Sequence, residues 1–127
     1  DYFSKGILLS PSVWTTLADD NFIYTSQHAF SDGTTSWSWD LYKQLFPTQY
    51  LGEVDPSQVS FFVATTSDDG VVPVADVDAF VEQLKNAGIN VDYQRDSGDN
   101  HNWKYWSRVA PTAYAWALDQ FKSADSK

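Results

Sequence analysis

Two short segments of this 127-residue chain hold residues that could work together in proton transfer. The first is the acidic turn 65–73, which contains Asp68 and Asp69, and the second is the loop 98–106, which contains His101. A carboxylate that accepts a hydrogen bond from a histidine Nδ1 fixes the ring tautomer and stabilises the imidazolium formed during catalysis. The two segments therefore predict a carboxylate–histidine pair, with Asp69 or Asp68 as the acid and His101 as the base.

Each of these residues also has an ordinary structural explanation. An Asp-Asp-Gly sequence forms turns readily without any function, and a single loop histidine in an acidic chain usually has none. Two tryptophans, Trp103 and Trp106, follow His101 within five residues. The other histidine, His28, has no such pattern around it, and we interpret it as structural.

Three apolar segments predict the strands that position these residues. Residues 6–9 form a short contiguous apolar run, 59–65 are rich in β-branched and aromatic residues, and 89–93 alternate. The region 22–57 between the first two strands lacks clear periodicity, and we expect an irregular excursion there with a short helix over 39–46.

The remaining segments predict two longer helices. Residues 76–88 carry an apolar stripe with Asp76 as a candidate N-cap and Gly88 as the residue after the C-cap. Residues 107–122 form the last helix, in which Pro111 would be tolerated only in the first turn. Its inward-facing residues are expected to be Val109, Ala113, Trp116, Ala117 and Phe121.

The order of the elements predicts an α/β protein with parallel strands joined by right-handed crossovers. Both chemical segments follow strands, at the sheet edge where open α/β sheets place their ligands. Three strands alone leave open edges and little shelter for apolar residues, so the fold looks incomplete.

Three motifs in this order resemble the esterase D, feruloyl esterase and siderophore esterase group of the α/β-hydrolase superfamily. The segment 8–14 is similar to the strand and turn after the nucleophile helix, and 69–73 is similar to the acid turn. The segment 101–106 is similar to the histidine ending, with tryptophan at the second and fifth places after the histidine. The chain order of acid and then histidine is also that of α/β-hydrolases.

The resemblance implies one domain over 1–127, the C-terminal portion of an α/β-hydrolase with its last three parallel strands and crossover helices. It implies a serine carboxylic-ester hydrolase acting on a small-molecule or sugar ester, with no cofactor and no metal. Asp69 would be the triad acid and His101 the general base, while region 22–57 would form a substrate cleft or cap. Trp14, Trp37 and Trp103 would line the substrate site, although core filling is an equally good explanation of these residues.

The chain departs from the resemblance in three places. Thr66 and Asn100 stand where glycine usually opens the acid turn and precedes the histidine, which should alter turn geometry more than chemistry. No Gly-x-Ser-x-Gly elbow occurs, and the candidate nucleophiles Ser10, Ser12, Ser31 and Ser67 lack its glycines. We therefore expect the nucleophile in a missing N-terminal part, and this chain alone to be inactive. The alternative is a non-catalytic α/β binding or interaction domain with an aromatic cleft.

Composition limits the partners and the compartment. A formal charge of −9 makes nucleic acid and anionic membranes poor partners, and the absence of cysteine excludes disulfides and thiolate sites. The absence of methionine leads us to expect a processed product or an excised fragment. The open sheet predicts a complementary N-terminal fragment or a homodimer as partner. No targeting or spanning segment is visible, so we expect a soluble protein, secreted or cytoplasmic, with that choice open.

Overall fold

Three parallel strands form the sheet in this computed structural model, which describes residues 4–14, 30–34 and 37–124. The strands are β1 (Lys5–Leu9), β2 (Ser60–Thr66) and β3 (Asn90–Asp96), and they lie side by side in that order. The register pairs Gly6 with Phe61 and Phe61 with Val91. The α/β architecture with parallel strands predicted from the sequence is confirmed.

The central strand β2 explains why its apolar residues are contiguous rather than alternating. Phe62 and Ala64 pack on one face of the sheet, and Val63 packs on the other, each nearly or fully buried. A strand that is covered on both faces has no polar side to alternate with. β3 instead alternates between exposed and partly buried residues, because it lies at the edge of the described sheet.

The described part of the excursion between β1 and β2 includes two short helices over 39–53. Helix α1 (Trp39–Leu45) begins after Ser38, whose Oγ accepts a hydrogen bond from the backbone N–H of Leu41 at 3.2 Å. A 3-10 helix (Pro47–Glu53) follows. The helix predicted over 39–46 is therefore confirmed, while residues 22–29, 35 and 36, with the structural interpretation of His28, lie outside the described ranges.

Helix α2 (Val74–Asn86) begins three residues earlier than an N-cap at Asp76 would place it. Pro73 is the N-cap residue, and its carbonyl accepts from the backbone N–H of Asp76 at 2.9 Å, so the prediction of Asp76 as N-cap is wrong. Proline suits this boundary since it lacks the N–H that a helix start leaves unsatisfied. Asp76 lies in the first turn, where a carboxylate interacts favourably with the helix dipole.

The end of α2 matches the prediction. Gly88 has a φ of +80°, and its N–H donates to the carbonyl of Lys85 at 2.9 Å. The N–H of Ile89 donates to the carbonyl of Leu84 at 3.1 Å, and both side chains are buried. This pair of bonds is the Schellman motif, which requires the left-handed conformation that glycine adopts without strain.

Helix α3 (Trp103–Ala124) begins four residues before the predicted start and includes Pro111 in its interior. The prediction that Pro111 lies in the first turn is wrong because Asn102 starts the helix. The Oδ1 of Asn102 accepts from the N–H groups of Lys104 and Tyr105 at 3.0 and 3.3 Å, as an N-cap residue does. The fully buried Tyr105 and Val109 anchor the turns that precede the proline.

Two apolar clusters hold the layers together, one on each face of the sheet. The cluster under α2 contains buried Val13, Trp14, Val63, Val72, Val77, Phe80, Val81, Leu84 and Ile89. The cluster under α3 contains Phe62, Ala64, Tyr105, Val109 and Ala113. Partly buried Val91 and Tyr93 of β3 pack against the cluster under α2, and partly buried Ile7 and Leu9 of β1 pack against the cluster under α3.

One inward-facing residue predicted for α3 points outward. Phe121 is 55% exposed, and it continues a stripe that contains Tyr114 and Leu118, each more exposed still. Gln120 faces the sheet instead, with its Oε1 lying 3.5 Å from the Oγ of Ser60. Because neighbouring helix positions differ by about 100°, a sheet-facing residue 120 turns residue 121 toward solvent.

Within the described part of the chain, no helix has an apolar stretch long enough to cross a bilayer.

Candidate active site

The acid turn is built around the side chain of Asp69. Its Oδ1 accepts from the backbone N–H groups of Val71 and Val72, both at 2.9 Å, and its own N–H donates to the carbonyl of Thr66 at 3.1 Å. The carboxylate is fully buried although the residue sits in a turn. The turn therefore holds one oxygen of Asp69 by backbone bonds and leaves the other, Oδ2, for a different partner.

That partner is His101, which follows β3. Its Nδ1 lies 2.9 Å from the Oδ2 of Asp69, and its ring is about one-fifth exposed. The predicted contact between these two residues, which are 32 positions apart, is confirmed. Asp68 is not the partner of the histidine, since its Oδ2 accepts from the N–H of Gly98 at 2.6 Å.

Tryptophan side chains support the other side of the imidazole. The ring of Trp106 packs edge-on against that of His101 with centroids 5.2 Å apart, and Trp103 packs against Trp106 at 5.3 Å. The Nε1–H of Trp106 donates to the Oγ of buried Ser10 at 3.4 Å. Trp103 is 78% exposed, so it offers an open aromatic surface one ring away from His101.

The other two predicted substrate residues lie on the α2 side of the sheet. Trp14 is buried, and its Nε1–H donates to the carbonyl of Val71 at 3.0 Å, which ties it to the acid turn. Trp37 packs against Trp39 and Tyr42 with ring centroids 5.5 Å apart.

A cavity of about 250 Å³ opens beside these rings. It is lined by Trp14, Trp39, Tyr42, Lys43, Phe46, Thr48, Gln49 and Gln83. The structure thus brings Trp14 to both the cavity and the acid turn, while Trp37 packs against the apolar cluster under α2.

Sequence reasoning overlooked the side chains that join the two loops. The Oγ1 of Thr66 donates to the carbonyl of Gly98 at 2.8 Å, and the Oδ1 of Asn100 accepts from the N–H of Gly70 at 2.8 Å. Thr66 and Asn100 are the two departures from glycine in the resembled motifs. The presence of polar side chains at these two glycine positions was the sequence signal that could have predicted the bonds between the loops.

The histidine loop is also braced from α3. Asp99 has a φ of +61°. Its carboxylate forms ion pairs with two residues of α3: Oδ1 lies 2.6 Å from Lys104 Nζ, and Oδ2 lies 3.0 Å from Arg108 Nε. The hydrogen bond from Lys104 and then that from Arg108 hold the pKa of the Asp99 carboxyl below its usual range. Because the lowered pKa favours the charged form in the folded chain, this stabilisation is present near neutral pH and is lost as the pH falls.

The described residues include no group of three histidine, aspartate or glutamate side chains that could hold a metal ion. In the described part of the chain, none of Ser10, Ser12, Ser31 and Ser67 has a hydrogen bond to His101.

What the pair can do chemically follows from its geometry. A buried carboxylate at Nδ1 keeps a proton on that nitrogen and leaves Nε2 as a base. A base oriented in this way can take a proton from a hydroxyl or a water and return it to a leaving group. The contact thus orients His101 with Nε2 available for proton transfer.

Solved structures and family models include proteins that are similar to this chain. The crystal structure of MGS-M1, an α/β-hydrolase enzyme from a Medee basin deep-sea metagenome library, is similar to 77% of this chain at 19% sequence identity, with a TM-score of 0.46. The chain spans 29% of the length of that protein. No curated protein matches the chain.

The three parallel strands with helices between them give the α/β fold class that the sequence predicts. Residues 1–124 match the model of the prolyl oligopeptidase family. The superfamily inferred from the three motifs is therefore correct, and the narrower esterase group remains a prediction. By this match over nearly its whole length, the chain belongs to the prolyl oligopeptidase family.

Proposed function

We propose that this chain carries the acid and the base of a serine hydrolase that cleaves carboxylic esters. The observation that carries the proposal is the 2.9 Å contact between the buried Asp69 carboxylate and His101 Nδ1. Membership of a hydrolase family supports it.

In the proposed reaction, Nε2 of His101 takes the proton of a serine hydroxyl as its oxygen attacks the ester carbonyl. The imidazolium then returns that proton to the departing alcohol, which leaves an acyl-serine. In the second half, His101 takes a proton from water as the water oxygen attacks the acyl carbon. The bond from that carbon to the serine oxygen then breaks, the imidazolium returns the proton to the serine oxygen, and the carboxylic acid leaves. Asp69 stabilises the imidazolium in both steps and is not itself protonated.

The nucleophile comes from outside these 127 residues in this proposal. No Gly-x-Ser-x-Gly sequence occurs in the chain, and that elbow presents the serine and one of the oxyanion amides in α/β-hydrolases. The chain spans less than a third of the hydrolase it resembles in structure, which leaves room for a serine-bearing portion.

The ester substrate is proposed as a small molecule or a sugar ester. The exposed ring of Trp103 near His101, and the aromatic cavity beside Trp14, support an apolar or sugar-like substrate group. The family description favours a second candidate, hydrolysis of a peptide bond, in which His101 would protonate an amine.

The decisive experiment compares the chain alone with the same chain joined to its serine-bearing portion. The chain alone is expected to show no turnover of a p-nitrophenyl ester above buffer, because a base without a nucleophile has nothing to activate. The joined protein should hydrolyse the ester and lose that activity with His101→Ala.

Peptide p-nitroanilides, assayed in parallel, separate the two candidates. A higher kcat/KM on the anilides than on the esters would replace the ester proposal with the peptidase one. Activity of the chain alone that His101→Ala abolishes would place the nucleophile within these 127 residues. Ligand binding by the joined protein with no turnover of either substrate would support a non-catalytic binding domain.

We further propose that the serine-bearing portion covers the exposed stripe of α3 and the free edge of β1. The stripe presents Tyr114, Leu118 and Phe121, and within the described sheet β1 pairs only with β2. Unpaired strand edges and apolar stripes of this kind favour association in water. A second copy of the chain is the alternative occupant.

Sedimentation at micromolar concentration and moderate salt checks this proposal. We expect the chain alone to form dimers or larger species, and a one-to-one complex when the serine-bearing portion is added. The net charge of −9 opposes association, but salt screens charges beyond about 8–10 Å. A single stable 14.3 kDa species that does not bind the added serine-bearing portion would contradict the proposal.

A further inference from the structure

We propose that Thr66 and Asn100 are positioning residues that lock the acid turn to the histidine loop and so fix the contact of Asp69 with His101. This inference rests on the proposed function, because its consequence for catalysis needs the acid–histidine pair to be the working site. The two side chains join backbone groups that are about 30 residues apart in the sequence.

Asn100 acts on the backbone directly beside both members of the pair. Its Oδ1 accepts from the N–H of Gly70 at 2.8 Å and from the N–H of His101 at 2.7 Å. Gly70 immediately follows Asp69, so one oxygen atom connects the two peptide groups that flank the pair. A Cβ at Gly70 would lie 3.4 Å from the Asn100 amide, which is why the turn approaches this closely only with glycine or a small shift.

Thr66 and its neighbour Asp68 hold the other end of the histidine loop. The Oγ1 of Thr66, which is fully buried, donates to the carbonyl of Gly98 at 2.8 Å. The Oδ2 of Asp68 accepts from the N–H of the same glycine at 2.6 Å. Both polar backbone groups of Gly98 are therefore bonded to the acid turn.

These bonds matter because the next residue, Asp99, has a backbone conformation that is uncommon for a residue with a side chain. Gly98 and Asp99 both have positive φ, +75° and +61°. Such conformations persist where surrounding contacts determine them. The bonds of Thr66 and Asp68 to Gly98 act on the residue next to this strained position.

The side chains of Thr66 and Asn100 also restrict loop backbone that glycine would leave free to move. In the resembled motifs these two positions are glycine, which gives each loop more conformational freedom to lose on folding. Threonine and asparagine reduce that freedom and add bonds between the loops. A misplacement of about 1 Å in a catalytic contact can lower a rate about 100-fold, so this restriction matters at a 2.9 Å contact.

The test uses the joined protein with Asn100→Ala and Thr66→Val, which remove the bonds. We expect each variant to lower kcat about 10- to 100-fold with KM little changed, because substrate contacts stay and only the base is displaced. Asn100→Asp and Thr66→Ser keep an acceptor and a hydroxyl, and should recover most of the activity.

The matched control is Asp55→Ala, which removes a side chain that bonds the backbone of Ser57 at 3.0 Å. It lies before β2, at the opposite end of that strand from the site, and should leave kcat unchanged. If Asp55→Ala lowered kcat as much as Asn100→Ala and Thr66→Val do, any weakened loop would lower activity. That result would overturn the positioning role.

A second readout does not depend on activity. The chain has two histidines, so the Nδ1–H proton resonance of His101 is assigned by comparison with a His28→Gln variant. We expect its protection from exchange to fall about tenfold or more in Asn100→Ala and Thr66→Val, and to persist in the Asp55→Ala control.

The two readouts separate this inference from the proposed function. Full kcat and full protection in both variants would overturn the positioning role, whatever the substrate. If no protein form has activity but protection falls in both variants, the positioning of the pair holds and the hydrolase proposal fails.

Discussion

Asp69→Asn is expected to lower the kcat of the joined hydrolase about 10⁴-fold while the acid turn stays folded. The amide oxygen can still accept from the N–H groups of Val71 and Val72, as the Oδ1 of Asp69 does at 2.9 Å. The amide nitrogen then faces His101 Nδ1 and donates to it. His101 must carry its proton on Nε2, so it cannot accept one from serine.

The design separates chemistry from folding. Asp69→Ala removes both the turn bonds and the histidine contact, so it should lose stability as well as activity. Asp92→Asn, at an exposed position on β3, is the matched control and should keep full activity. Circular dichroism and kcat are measured on all three. A kcat for Asp69→Asn within tenfold of the parent would remove Asp69 from the role of triad acid.

Tyr105→Ala is expected to lower the free energy of unfolding by about 3–5 kcal/mol, the usual range for deleting a buried aromatic side chain. Tyr105 is fully buried in the cluster under α3, where it packs with Phe62 and Val109. Its hydroxyl donates to the Oδ2 of Asp96 at 3.2 Å, at the end of β3. The residue therefore joins the start of α3 to the strand that leads into the histidine loop.

Tyr105→Phe isolates the hydroxyl and should cost about 1.5–3 kcal/mol, as for hydrogen bonds to charged groups. Urea denaturation measures both variants. Burial and then the nearby Asp96 carboxylate raise the pKa of Tyr105 above its usual 10.0.

A raised pKa means that folding favours the neutral phenol. The stability from this group is therefore present below pH 10 and is lost as the pH rises above it. In Tyr105→Phe, the free energy of unfolding should fall less as the pH rises above 10. Equal stability of the parent and Tyr105→Phe at pH 7, with the same alkaline decline, would contradict the role given to the hydroxyl.

Local patterns in the chain were sufficient to place the secondary structure around the site. Contiguous apolar residues marked β2 as a strand covered on both faces, and Gly88 marked the end of α2, since a left-handed residue is needed there. Each of these signals acts within a few residues. The same holds for the acid turn after β2 and the histidine after β3, which parallel pairing then brings to one edge.

The sequence predicted less accurately the features that depend on packing between elements. Pro111 marked a helix boundary by local rules, yet α3 continues through it because Asn102 caps the start and Tyr105 is buried. Phe121 fitted an inward stripe, but Gln120 occupies the place that faces β2. The helix interior and its orientation were decided by contacts with the sheet.

Local sequence patterns were enough to predict the parallel α/β order, the chemical types at the site and the candidate acid and base. The contact of Asp69 rather than Asp68 with His101, and the bonds of Thr66 and Asn100 to the facing loop, arise only in the folded chain. The physical reason is distance along the chain. Hydrophobic period and turn preference are local, whereas a hydrogen bond between loops 32 residues apart exists only after β2 and β3 have paired.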